Sequence, residues 1–507
     1  YANSYWMDAE QFRHFGKGVI DFIADYIENI RDRDVLPTVD PGYLIKMLPD
    51  EAPEQPESWE DIMKDVRGAI IPGLTHWQSP QFHAFYPAAH SYESVLGSML
   101  NDGLSVVGLN WMASPSCTEL EVITMNWLGK LIGLPEQFLN CSPSHGGGVI
   151  QGSASESTLI TLLVAKDKTI RKLTSNDLNL DEDVIKPKLV AYSSDQCNSS
   201  VEKAGQLGSI KMRLLKTDAN GRLRGQTLQK AINEDKAAGL IPFYVVATLG
   251  TTATCAFDPL NEIGPICSEE NIWLHVDAAY AGSAFVCPEY RHLMNGIEYA
   301  ESIVLNPHKW LLVNFECSAL WLKDGRDIMR AFDVKRIYLE DTKNNLKIPD
   351  YRHWQIPLGR RFRSLKLWTV IRSYGAEGLR NHIRTQISLA LHFAKLVGTD
   401  DRFLVEPEPS MGLVCFRLKD GDSRTKQLLE NLTKTKKIYM VAGLFRDRFV
   451  IRFVVCSRLT NEQDVNYSWT VIKEATDVIY NDKIYAKPEI PAINDTFLRD
   501  LLVIRNK

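Results

Sequence analysis

The run Phe243-Tyr244-Val245-Val246-Ala247-Thr248-Leu249 is followed by Ile272-Trp273-Leu274-His275-Val276-Asp277 and then by Ser302-Ile303-Val304-Leu305-Asn306-Pro307-His308-Lys309-Trp310. Each stretch is a short apolar run, rich in β-branched residues, of the length expected for a strand. The second ends on a carboxylate and the third is followed at once by an amine. Two further apolar runs, 189–192 and 318–322, belong to the same series, with helical stretches at 118–132, 155–172 and 225–238 between the runs. Strands alternating with helices predict a mostly parallel sheet covered on both faces, an α/β fold, over roughly residues 91–370.

Outward from that region the character changes. Phe12, Phe15, Val19, Phe22, Ile23, Tyr26, Ile27 and Ile30 recur at helical spacing, so 8–31 predicts an amphipathic helix with a wide apolar stripe. The Pro-rich stretch 37–56 has no periodicity of its own and fits an arm laid over another surface. Residues 1–90 are therefore a helical arm. Met7-Asp8-Ala9-Glu10 reads as a start, and Tyr1 to Trp6 are left out of the fold reasoning. Beyond 370, strand-like runs at 411–418 and 449–455 and helical stretches at 424–434 and 461–479 predict a smaller α+β unit, 371–507. The charged segment 324–350 has few apolar anchors and fits either a solvated surface loop or a mobile lid.

Composition narrows the function classes. With 58 Lys+Arg against 63 Asp+Glu, the net charge of -5 gives no bulk attraction to nucleic acid. No apolar run reaches membrane-spanning length. No basic segment followed by an apolar core opens the chain, so no secretory signal is read. The nine cysteines form no CxxC pair and no zinc spacing, so no metal site is expected; they read as buried free thiols of a reducing cytoplasm.

Four signals fall in order at the ends of predicted strands or at the start of a helix. Gly146-Gly147-Gly148 and Gly152-Ser153-Ala154-Ser155-Glu156 precede the helix at 155–172. Small residues at a helix N-terminus let backbone N–H groups approach a phosphate, although a plain capped helix after a glycine turn has the same pattern. The stretch lacks GxGxxG, which argues against a nucleotide site. Tyr192 to Ser200 follows the next strand. His275-Val276-Asp277-Ala278-Ala279 places a carboxylate at a strand's C-terminal end, where it can face a ligand crevice and hold a pyridine nitrogen protonated, or merely cap a turn. Asn306-Pro307-His308-Lys309-Trp310 puts a lysine among apolar neighbours, where desolvation makes it a nucleophile toward carbonyls.

Together with WQIPLGRRFRSLKLW at 354–368, the motifs NPHKW at 306–310, HVDAAYAGSA at 275–284 and QGSASES at 151–157 make the chain resemble the aromatic-L-amino-acid decarboxylases of the group II pyridoxal-phosphate (PLP) enzymes. The likeness runs from about Met7 to the C-terminus. It implies fold type I with a seven-stranded sheet, a homodimer with the cofactor at its interface, an aromatic amino acid as substrate, and a cytoplasmic location. Position by position, it implies that Lys309 carries PLP covalently and that Asp277 pairs with the pyridine nitrogen. Ala279 then packs on the ring, and Ala154, Ser155 and Asn306 hold the phosphate. Thr252 and His308 line cofactor and substrate. Trp77, Phe85 and Tyr86 shape the side-chain pocket, with Val107 and Leu109 reaching in from the partner subunit. Tyr338 matches the tyrosine of the family's mobile catalytic loop, which favours the lid reading of 324–350. An aminotransferase fits less of the chain, and an inactive scaffold protein would not keep Lys309, Asp277 and Tyr338.

The sequence departs from the resemblance in four places. Asn198 stands where ordinary members have the histidine that lies over the cofactor ring. The pair at 85–86 is Phe-Tyr rather than Tyr-Phe, Ala88 replaces a threonine, and Leu109 replaces a phenylalanine. Imidazole titrates near pH ~6.5 and can pass a proton, whereas a carboxamide cannot at any working pH. The insect aldehyde synthases of this family, which make 3,4-dihydroxyphenylacetaldehyde from L-dopa, carry Asn here, and the sequence is similar to them. That similarity implies O2 as co-substrate and hydrogen peroxide as co-product; an ordinary decarboxylase releasing dopamine or a related amine is the alternative. Tyr338 is kept, so Asn198 acts either by withholding a proton or by admitting O2.

Overall fold

The computed structural model describes residues 7–177, 180–333 and 348–481. Seven strands form the larger sheet: β1 (Gly147–Gln151), β2 (Leu189–Ser194), β3 (Lys211–Leu215), β4 (Ile241–Thr248), β5 (Trp273–Asp277), β6 (Ser302–Leu305) and β7 (Ser318–Leu322), in the order β1-β7-β6-β5-β4-β2-β3. Only β7 runs against its neighbours. The mostly parallel α/β sheet expected from the apolar runs is therefore present. Two buried apolar clusters account for the lack of polar alternation in the central strands. Val245, Leu274 and Ile303 belong to one, Tyr244, Val246 and Val304 to the other.

A second, four-stranded antiparallel sheet follows: β8 (Phe403–Val405), β9 (Leu413–Leu418), β10 (Val441–Phe445) and β11 (Arg448–Val454), in the order β10-β11-β9-β8. It packs on the helices Asp422–Thr435 and Glu462–Asn481 through a core that includes Phe393, Phe416, Phe453 and Trp469. The helix Arg363–Val397 joins the two sheets and breaks at Gly375, whose φ of 62° falls where glycine is favoured. No helix among the described residues is long and apolar enough to cross a membrane.

The first helix, Ala9–Glu28, is closed by a capping box in which Asp8 accepts from the N–H of Gln11. Of its residues only Ile27 is buried; Phe12 is 67% exposed, whereas Phe15, Val19, Phe22, Ile23 and Tyr26 are half-buried, so the predicted apolar stripe is partly covered by its own chain. The helix Tyr92–Leu104 likewise leaves Leu96, Met99, Leu100 and Leu104 exposed.

Two sequence expectations change. Gly146-Gly147-Gly148 is no phosphate turn, since its last two residues open β1. A Cβ on Gly148 would stand 2.6 Å from Met125 Cε and one on Gly147 2.9 Å from Trp354, so these positions are small for packing. The segment 324–350 is not loop throughout, because Gly325–Phe332 is a helix anchored by fully buried Ile328 and by Asp327, which pairs with Lys168 at 2.8 Å. Residues 334–347 of the lid expectation, with Tyr338, lie outside the described residues. All nine cysteines are unpaired and seven are buried, whereas Cys141 is exposed.

Candidate active site

The C-terminal ends of β1, β2, β4, β5 and β6 converge on one cleft of about 220 Å³. This is where an open α/β sheet presents side chains to a ligand, because the strands stop there and the chain turns outward. Tyr86, Ala154, Ser155, Asn198, Thr252, Asp277, Ala279, Asn306, His308 and Lys309 all line it.

Asp277 is the last residue of β5 and is 4% exposed. Its Oδ1 accepts the Ala279 N–H at 3.0 Å, which fixes the carboxylate in the cleft. Burial pushes its pKa up, against the pull of Lys309. Lys309 sits on the short turn after β6, and its pKa is pushed down by burial, against the pull of Asp277. Its Nζ lies 5.5 Å from the centre of the Tyr86 ring. Desolvation thus favours the neutral amine, the form that attacks a carbonyl.

At the other end of the cleft the helix Ala154–Asn176 begins. Ser153 caps it by accepting from Glu156 N, and Glu156 accepts from Gly152 N at 2.9 Å. The N–H groups of Ala154 and Ser155 belong to the first turn, which has no intrahelical acceptors, so they are available to an anion. Beside them, Asn306 Oδ1 and Thr248 Oγ1 are buried without partners. A buried amide or hydroxyl of that kind costs free energy until something bonds to it. His308 Nδ1 is held within 2.9 Å of Cys317 N, and the ring meets Phe315 edge-on at 4.5 Å. Burial holds its pKa down to about 3, so it stays neutral through the working range.

Asn198 is the N-cap of the helix Ser199–Gly208. Its Oδ1 accepts from Ser200 N at 3.0 Å and its Nδ2 donates to Thr252 Oγ1 at 3.0 Å. Both ends of the carboxamide are therefore engaged and its orientation is fixed.

Four expected residues stand apart from this cleft. Trp77 and Phe85 stack on each other at 5.5 Å, and Val107 and Leu109 lie on the segment whose Gly108 N–H bonds Arg360 O. Tyr86 is placed differently from a wall residue. Its hydroxyl donates to Thr251 O and its ring stacks on Tyr280 at 3.9 Å, so it forms part of the floor. Sequence reasoning missed Thr248 and Tyr280, which also line the cleft, and Arg452 beneath it. Arg452 donates to Ala253 O and Phe85 O and lies 5.1 Å from the Tyr86 ring. An arginine inside the apolar run of β11 was the available signal.

An electrophile near Lys309, an anion on the helix N-terminus and a ring nitrogen at Asp277 make one ligand fit these residues: a phosphorylated pyridine aldehyde. The model of the pyridoxal-dependent decarboxylase conserved domain matches residues 41–419. The chain belongs to that family. Within it, the chain is 54% identical to the 3,4-dihydroxyphenylacetaldehyde synthase of Aedes aegypti, over 93% of this chain and 91% of that protein. It is 53% identical to the aromatic-L-amino-acid decarboxylase of Drosophila simulans, over 93% and 92% of the two chains. The crystal structure of an Oryza sativa TDC with PLP and tryptamine superposes with a TM-score of 0.91 at 36% identity, covering 94% of this chain and all of that one. The protein is thus an enzyme of the PLP-dependent aromatic amino acid decarboxylases, with their fold type I architecture.

Proposed function

We propose that this decarboxylase-family enzyme converts L-dopa, O2 and water into 3,4-dihydroxyphenylacetaldehyde, CO2, ammonia and hydrogen peroxide. Bound in the cleft, PLP would supply an electron sink for the α-carbon of the amino acid. Lys309 would hold it covalently, and the Asp277 carboxylate would keep its pyridine nitrogen protonated. The first-turn N–H groups of Ala154 and Ser155, with Asn306, hold the phosphate, and Ala279 packs on the ring. Thr252 and His308 flank the substrate. Trp77, Phe85 and Tyr86 shape the space for its side chain, and Val107 and Leu109 complete it from the partner subunit of a homodimer. The exposed apolar face of the helix Tyr92–Leu104, and the half-buried one of Ala9–Glu28, support that dimer.

Asn198 carries the oxidative reading. Loss of CO2 leaves an electron pair on the α-carbon. A proton delivered there gives an amine; two electrons passed to O2, followed by hydrolysis, give the aldehyde, ammonia and peroxide. A histidine at this position could deliver the proton. The Asn198 carboxamide, tied to Thr252 and Ser200, orients the substrate carboxylate but has no proton to give. Resemblance to an aldehyde synthase supports the same branch.

The test is a product balance with L-dopa in air and under nitrogen. In air the enzyme should consume O2 and release CO2, aldehyde, ammonia and peroxide in near-equal amounts. Dopamine as the main product, without O2 uptake, would establish an ordinary decarboxylase instead.

A further inference from the structure

Phe315 lines two cavities. One is the cleft around Lys309; the other is a polar chamber of about 290 Å³ bounded by the helices Tyr92–Leu104 and Arg363–Val397. Gly97 sets how closely those helices approach, since a Cβ there would fall 2.6 Å from Lys366 Cα. Three cations, Arg361, Arg363 and Lys366, and two carboxylates, Asp102 and Glu316, line the chamber. Arg361 is paired with Asp102, and Arg363 stands 3.8 Å from Glu316. Lys366 is 8% exposed and its ammonium has no hydrogen bond or ion pair among the described residues. Glu316 acts on it only from a distance and is half-exposed, so Lys366 has no counterion in contact on the wall of a space large enough for an ion.

An unpaired buried ammonium is unfavourable unless it gains a counterion or sheds its proton. Burial, chiefly, pushes the Lys366 pKa down, and Arg363 and Arg361 add to the shift, against the pull of Cys317 and Glu316. A counterion would relieve that field, and the side chain of Arg363 offers further N–H donors beside it.

We propose that this chamber binds a small inorganic anion, halide or oxyanion, on Lys366 and Arg363. The bound ion steadies the 314–316 turn, whose Phe315 ring packs on His308 in the catalytic cleft. Holoenzyme crystals soaked in sodium bromide test the site, with melting curves in bromide or sulfate balanced against gluconate at constant ionic strength. Anomalous density within hydrogen-bond reach of Lys366 Nζ is expected. Wild type should melt higher in bromide or sulfate, because an ion bound only by the folded state stabilises it. Lys366→Met should lose both the density and the melting response. If that variant fails to fold, Lys366→Arg should keep the response, since it keeps the charge. An empty chamber at molar bromide overturns the proposal. So does a carboxylate from the partner subunit seated on Lys366, or an equal melting response in wild type and Lys366→Met.

Discussion

Replacing Asn198 by His tests the product choice and its cause together. Asn198 makes two hydrogen bonds at 3.0 Å, one accepted from Ser200 N as the helix N-cap and one donated to Thr252 Oγ1. Losing a cap costs about 1 kcal/mol. Losing the second bond adds about 0.5–1.5 kcal/mol. Asn198→His should therefore fold, with stability lower by about 1.5–2.5 kcal/mol. In exchange the position gains a group that titrates near pH ~6.5. The helix N-terminus disfavours an imidazolium, so that group's pKa falls below the ordinary value, and the amine share should rise as pH falls. If the new proton path lowers the protonation barrier by about 1.4 kcal/mol relative to oxidation, the amine-to-aldehyde ratio shifts tenfold. The assay measures dopamine, aldehyde, peroxide and O2 uptake from one reaction across pH, with melting temperature alongside. Asn198→Ala loses the same two bonds without gaining a proton carrier, so its melting should fall similarly with no rise in amine. An unchanged product ratio in Asn198→His at every pH, or an equal amine rise in Asn198→Ala, would refute the reasoning.

Three further outcomes are expected. Lys309→Ala should lose the visible absorbance of covalently held PLP and all turnover; retained activity would remove Lys309 from its role. Arg360→Met breaks a buried ion pair with Glu121, whose Oε1 also accepts the Ile150 N–H at 2.7 Å in β1. Denaturant titration should find it destabilised by about 3–5 kcal/mol, with weaker PLP retention because β1 leads into the Ser153 cap. Leu100→Glu puts a charge on the exposed apolar face of the helix Tyr92–Leu104 and should shift sedimentation toward an inactive monomer; an unaffected dimer would place the interface elsewhere.

The central strands were legible because β4, β5, β6 and β7 are buried on both faces, which leaves a continuous apolar run in the sequence. The two strands of the larger sheet that escaped notice lack that mark for different reasons. β3 lies at the sheet edge and reads KMRLL, with only Leu215 buried. β1 is fully buried but begins on two glycines that Met125 and Trp354 press against, and glycine argues against a strand in any local reading. In the site, residues one to four positions past a strand end were readable, since turn chemistry and strand signal adjoin there. Arg452 was not, because what it holds, Ala253 O and Phe85 O, lies 199 and 367 residues away along the chain.

Architecture and product are set on different energy scales. The cleft exists because several strands stop at one edge of the sheet, and many buried side chains, from Val245 to Val304, enforce that arrangement together. Product choice is a difference between two barriers, where about 1.4 kcal/mol is already a factor of ten. One hydrogen-bonded side chain can supply that much. Under the proposed function Asn198 is such a side chain: it is tied at both ends and lines the cleft with Lys309. Tyr86 gives a contrast. Its phenol is also polar and also near Lys309, but it is committed to Thr251 O and stacked on Tyr280. Burial drives its pKa far up, which makes it a weaker acid than an imidazolium. Under the proposed function, the choice between amine and aldehyde falls, among the described residues, to Asn198 and its partner Thr252 rather than to the aromatic floor of the cleft.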